Sequence, residues 1–146
     1  MKATDLMLGD LVTFKDCQLD ENPVIIKIWQ INGDGDAFVS INETDGLDEI
    51  SIDDEVVGIP LTPEILENNG FTVGKYKLPM ADKEIDKFSL SEVGDDYVRE
   101  VVLLPITMNC TWCFSSVDGT YIPVIEFVHE LQHALRLAGI EKEIIL

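Results

Sequence analysis

The chain has 146 residues, of which 28 are Asp or Glu and 10 are Lys or Arg, a formal charge of −18 beside 46% hydrophobic residues. That length suffices for one domain, or two small subdomains, with a core that needs no disulfides. Recurring groups of Val, Ile, Leu and Phe exclude a disordered polyanion, and so acidic a chain lacks the basic footprint that nucleic acid or an anionic membrane surface requires.

The opening segment, Met1 to Asp10, holds no apolar run of signal-peptide length, and no stretch approaches the roughly 20 apolar residues of a membrane span. Cys17, Cys110 and Cys113 are too few, and odd in number, for a disulfide framework. The expectation is a cytoplasmic protein without a cofactor, whose partner is another protein and neither nucleic acid nor membrane.

Residues 1–73 carry 3 Lys against 16 Asp and Glu, a formal −13, whereas residues 74–146 carry 7 basic and 12 acidic residues, a formal −5. The acidic half reads as four short strands at 10–14, 24–31, 37–41 and 50–59, with Asn32-Gly33-Asp34-Gly35 and Asp45-Gly46 as turn chemistry between them. Four strands in about 60 residues predict a small antiparallel sheet or an SH3-like barrel.

A short connecting helix follows at 61–71. Thr62 is a helix cap, Pro63 fits the first helical position, Glu64 complements the dipole, and Gly70-Phe71 forms a left-handed stop. Leu61 and Leu66 occupy the positions of a hydrophobic staple.

Strands resume toward residue 122, notably 98–106 and 111–117, with Asp118-Gly119 as a hairpin turn; the polar stretch 82–96 reads as a loop in which Ile85, Phe88 and Leu90 could anchor a strand. Pro123 opens a last helix at 124–138, with Val124, Phe127, Val128, Leu131, Leu135 and Ala138 on one stripe and Gly139 ending it, and residues 143–146 can add a final strand. The fold class is α+β: an N-terminal β subdomain (1–60), the connecting helix (61–71) and an α+β subdomain (72–146) with a second antiparallel sheet packed by the C-terminal helix, all one folding unit.

Three motifs carry possible chemistry. His129-Glu130-Leu131-Gln132-His133 matches His-Glu-x-x-His, in which two histidines one helical turn apart bind zinc and the glutamate activates a water. That reading is a zinc-dependent hydrolase with His129 and His133 as ligands and Glu130 as base. No other histidine exists to complete the site, only Glu141 and Glu143 follow closely enough to help, and the helical wheel turns both histidines opposite the apolar stripe, toward solvent. Cys110-Thr111-Trp112-Cys113 is a Cys-x-x-Cys, but it lies in strand context, where residues three apart point to opposite faces and no helix dipole activates a thiol. The segment 32–43 spaces oxygen side chains like a calcium loop, yet Ala37 stands where such a loop needs glycine, and strands flank it. Trp29 and Trp112 are the aromatic candidates to anchor a partner, with burial in the core as their competing role.

The opening Met1-Lys2-Ala3-Thr4-Asp5-Leu6-Met7-Leu8-Gly9-Asp10-Leu11-Val12, the centre Ile59-Pro60-Leu61-Thr62-Pro63-Glu64-Ile65-Leu66 with Gly70-Phe71, and the close Phe127-Val128-His129-Glu130-Leu131-Gln132 with Ala138-Gly139 resemble a group of uncharacterised small proteins of Bacteroidetes-type bacteria and their mobile elements. Members of that group open with a Leu-Arg-Ile-Gly-Asn-like segment, carry Pro-Ile-Pro-Leu-Thr-Glu-Glu before a short helix and end in Val-His-Gln-Leu-Gln-Asn. The resemblance covers about a third of the chain and implies no activity. It makes Glu130 and His133 variants of Gln and Asn in a helix that binds no metal. The function expected is binding of another macromolecule by a non-enzymatic protein, an accessory of a phage or mobile element; an acidic DNA-mimic inhibitor is the further alternative.

Overall fold

A computed structural model describes residues 5–17, 24–32, 36–41, 46–78, 83–94, 97–106 and 111–146, without the side chains of Asp53, Asp54 and Pro123. The chain divides into two units, Met1–Ile59 with Phe127–His129, and Pro60–Glu126 with Glu130–Leu146. The class is α+β, with an antiparallel sheet in each unit.

The first unit contains β1 (Leu11–Phe14), β2 (Ile25–Ile31), β3 (Asp36–Ile41), β4 (Asp48–Ser51), a helical turn α1 (Ile52–Glu55) and β5 (Val56–Gly58). Their order in the sheet is β4-β3-β2-β1-β5, so the two edge strands are consecutive in the chain. One helical turn rises about 1.5 Å per residue and joins the edges within about 10 Å, whereas the edges of a flat five-stranded sheet lie about 19 Å apart at roughly 4.8 Å per strand. The sheet therefore coils toward closure, as in the SH3-like alternative. Val12, Ile26, Ile28, Ala37, Val39, Ile52 and Val56 fill its interior and are fully buried.

The single strand expected at 50–59 is broken by α1. A continuous strand would carry Asp54 to the same face as Ile52 and Val56, and a charge on that face has no counterpart in an apolar core. One helical turn instead places Ile52 and Val56 four residues apart on one side, and the Glu55 carboxylate accepts the Ser51 N–H at 3.4 Å.

The second unit is a meander of β6 (Thr72–Lys77), β7 (Glu84–Val93), β8 (Val98–Pro105), β9 (Trp112–Ser116) and β10 (Tyr121–Ile125), in the order β10-β9-β8-β7-β6. The polar stretch read as a loop is its longest strand, β7. Paired with β6 on one side and β8 on the other, it satisfies its backbone through two ladders whatever its composition, and its Glu, Asp, Lys and Ser side chains are what a sheet with one wet face requires.

Helix α2 (Pro63–Asn68) forms as the sequence requires. The Thr62 hydroxyl accepts the Ile65 N–H at 3.3 Å, Gly70 has φ of 78°, and Phe71 N–H and Gly70 N–H donate to Leu66 O and Glu67 O at 3.1 and 2.9 Å, the two bonds of a Schellman stop.

The last helix, α3 (Val128–Leu137), starts four residues later than expected because β10 runs on to Ile125. Pro123 therefore lies within an edge strand, where a missing N–H interrupts no second ladder, and the pairing register shifts between Ile122 and Ile125. No final strand forms at 143–146. Instead the Asn69 side chain acts as its substitute partner, accepting the Ile145 N–H at 2.8 Å and donating to Ile145 O at 2.7 Å. Among the described residues no helix is long and apolar enough to cross a membrane.

Candidate interaction surface around Trp29

Alternation along β2 places Ile26 and Ile28 inward, and both are fully buried. A regular strand would then put Gln30 inward as well. The pairing with β3 prevents this: Ile28 faces Val39 and Gln30 faces Phe38, so Trp29 is the extra residue of a β-bulge. The bulge re-aims Gln30, which joins Phe38 on the outer face next to Trp29. The indole of Trp29 is 51% exposed, and its Nε1–H donates to Ser40 Oγ at 3.0 Å. Ser40, on the outer face of β3, is only 5% exposed. The Lys27 ammonium lies 5.5 Å from the centre of the ring, in cation–π range.

A turn precedes β1, on the other side of β2 from Ser40. Asp10 N–H donates to Met7 O at 3.2 Å, Gly9 holds φ of 85° at the third position, and the Asp10 carboxylate accepts the Met7 N–H at 2.7 Å, as a type II turn with a side-chain clasp demands. Gly9 N–H then donates to Ile28 O at 2.7 Å, which fixes the turn beside the residue preceding Trp29. Met7 and Leu8 are exposed on it, and Leu47, before β4, is exposed as well. Alternation along β2 does not reveal the bulge, which only the pairing with β3 shows.

Trp112 has a different role. It is 2% exposed, its Nε1–H donates to Leu61 O at 3.0 Å, and Phe88 meets it edge-on with ring centres 5.2 Å apart. A side chain so enclosed offers no surface to a partner.

The histidine motif is also distributed differently from the helical-wheel expectation. His129 is 3% exposed, not solvent-facing, and its ring stacks on Phe127 at 5.8 Å with 13° between the planes. His133 is half-buried. The Glu130 carboxylate accepts the Glu126 N–H at 2.7 Å, a helix-start contact. Among the described residues no three His, Cys, Asp or Glu side chains come together as a metal site.

Cys113 is a free, half-buried thiol on β9, while Cys110 lies outside the described residues. Of the calcium-like segment, 33–35 and 42–43 lie outside the described residues and 36–41 form β3; at its start, Asn32 N–H donates to Asp36 O at 2.8 Å and closes the β2–β3 hairpin. Ionisation is shifted at surface turns and pairs of the second unit. Hydrogen bonds from the Ser116 hydroxyl and from Thr120 hold Asp118 below the ordinary carboxylate range, a hydrogen bond with Asp86 raises Lys75, and one with Cys113 raises Tyr121.

No protein-family model, curated protein or solved structure matches the chain.

Proposed function

We propose that this chain is a non-enzymatic cytoplasmic protein that works by binding another protein, as an accessory of the phage or mobile-element kind that its sequence resemblance implies. One observation carries the reading: a half-exposed tryptophan on the outer face of β2, held in one orientation by Ser40, on the most acidic part of the chain. Tryptophan is enriched among residues that dominate binding energy, and a ring already fixed in place loses little further freedom on association. The acidity works against nucleic acid and anionic lipid as partners.

Affinity capture from the native host, with the full chain and with Trp29→Ala in parallel, tests this. The expected result is a specific protein retained by the wild type and lost or much reduced with the variant. Failure of the wild type to retain any specific protein would refute it. A partner held equally by both, and released by salt alone, would favour the DNA-mimic alternative, which needs carboxylates and no indole.

A further inference from the structure

Resting on this protein-binding reading, we infer that the outer face of β2, β3 and β4 is a seat for an arginine-rich basic polypeptide segment, whose guanidinium stacks on Trp29 in place of Lys27.

The register sets out this face. Lys27 stands opposite Ser40, and Phe38 stands opposite Glu49 on one side and Gln30 on the other. Residues opposite one another in a sheet share a face, so the Glu49 carboxylate lies on the outer side with Phe38. Trp29 leans over Ser40 between these rows. The outer face therefore carries an indole and a carboxylate together.

The indole already accepts a cation, since the Lys27 ammonium lies over it at 5.5 Å. A guanidinium is planar and more weakly hydrated than an ammonium, so it stacks on the same ring at a smaller desolvation cost. Charge selects the same partner. Residues 1–59 hold 3 Lys against 14 Asp and Glu, a formal −11, which attracts a basic segment and repels nucleic acid, acidic peptides and a second copy of a chain that itself carries −18.

Nona-arginine and nona-lysine, titrated against the full chain by calorimetry, are the probes. Nona-arginine is expected to bind saturably and several-fold tighter than nona-lysine. Trp29→Ala should weaken nona-arginine by about tenfold, the scale of a partly desolvated cation–π contact. Lys27→Gln removes the competing cation and should tighten binding, an effect opposite to general damage and one that stands even if Trp29→Ala folds poorly. Equal binding of nona-arginine to wild type and Trp29→Ala, equal affinity for the two peptides, or weaker binding by Lys27→Gln would each overturn the inference. A host protein captured equally by wild type and Trp29→Ala would overturn it too, while leaving the protein-binding reading intact; that reading falls only if the wild type captures nothing specific.

Discussion

Replacing each tryptophan by alanine separates the two roles that the structure gives them. A tryptophan side chain buries roughly 150–250 Å² when enclosed, equivalent to about 4–6 kcal/mol at 25 cal/mol per Å² as an upper bound. Trp112, 2% exposed, realises nearly all of that burial. Its removal also strips Leu61 O of a donor, which costs about 1–3 kcal/mol for a buried acceptor, and ends the edge contact with Phe88. Partial collapse of the cavity offsets some of the loss, so Trp112→Ala should cost about 4–6 kcal/mol. Trp29, 51% exposed, realises about half the burial, and Ser40 can exchange its lost partner for water, so Trp29→Ala should cost about 1–2 kcal/mol. Urea unfolding followed by far-UV circular dichroism measures both without depending on either indole. If Trp29→Ala lost as much stability as Trp112→Ala, then Trp29 would be a structural residue and its claim to a binding role would fail.

Asn69→Ala removes both bonds to Ile145 and the donation to Ile65 O; it should cost about 2–3 kcal/mol and increase amide exchange at Ile145, whereas unchanged protection there would refute the clasp. Asp118 has a lowered folded pKa, so its contribution is present above the ordinary carboxylate pKa of about 3.9 and is lost as pH falls through the lower folded value. Asp118→Asn should therefore differ from wild type in urea midpoint at neutral pH and converge with it in strong acid, and a gap that persists in strong acid would refute this. His129→Gln should cost about 1–3 kcal/mol because the ring is buried against Phe127, and His133→Gln within about 0.5 kcal/mol; the reverse order in thermal melts would overturn the placement of the two rings.

Most of the fold was legible where a local signal and its structural consequence involve the same few residues. The connecting helix is the clearest case: Thr62, Pro63, Gly70 and Phe71 act through bonds within one short segment. Elements decided by distant pairing were not legible. β7 looked like a loop because its polarity was visible and its two ladders were not. Pro123 looked like a helix start because proline suits that position, yet it suits an edge strand equally, and only the neighbouring strand distinguishes them. The site followed the same division: the outward side of Trp29 follows from alternation with Ile26 and Ile28, whereas the outward turn of Gln30 comes from one unmatched residue in the pairing of β2 with β3.

The histidine motif shows why periodicity alone could not place its rings. At 100° per residue, Arg136 lies about 20° from His129 around the axis of α3. Arg136 is nevertheless exposed and His129 is buried. Angle is nearly the same for the two; position along the axis is not. In the first turn Val128, His129, Leu131 and Gln132 are all buried, an arc far wider than an apolar stripe, whereas Arg136 and Leu137 in the last turn are both open to solvent. A helical wheel projects every residue onto one plane and discards the coordinate that decides this case. What buries His129 is the enclosure of the start of the helix, beginning with the Phe127 ring stacked on it. A His-Glu-x-x-His spacing guarantees a shared angle for its two histidines; it does not guarantee shared access, and here one ring is buried while the other is half-open.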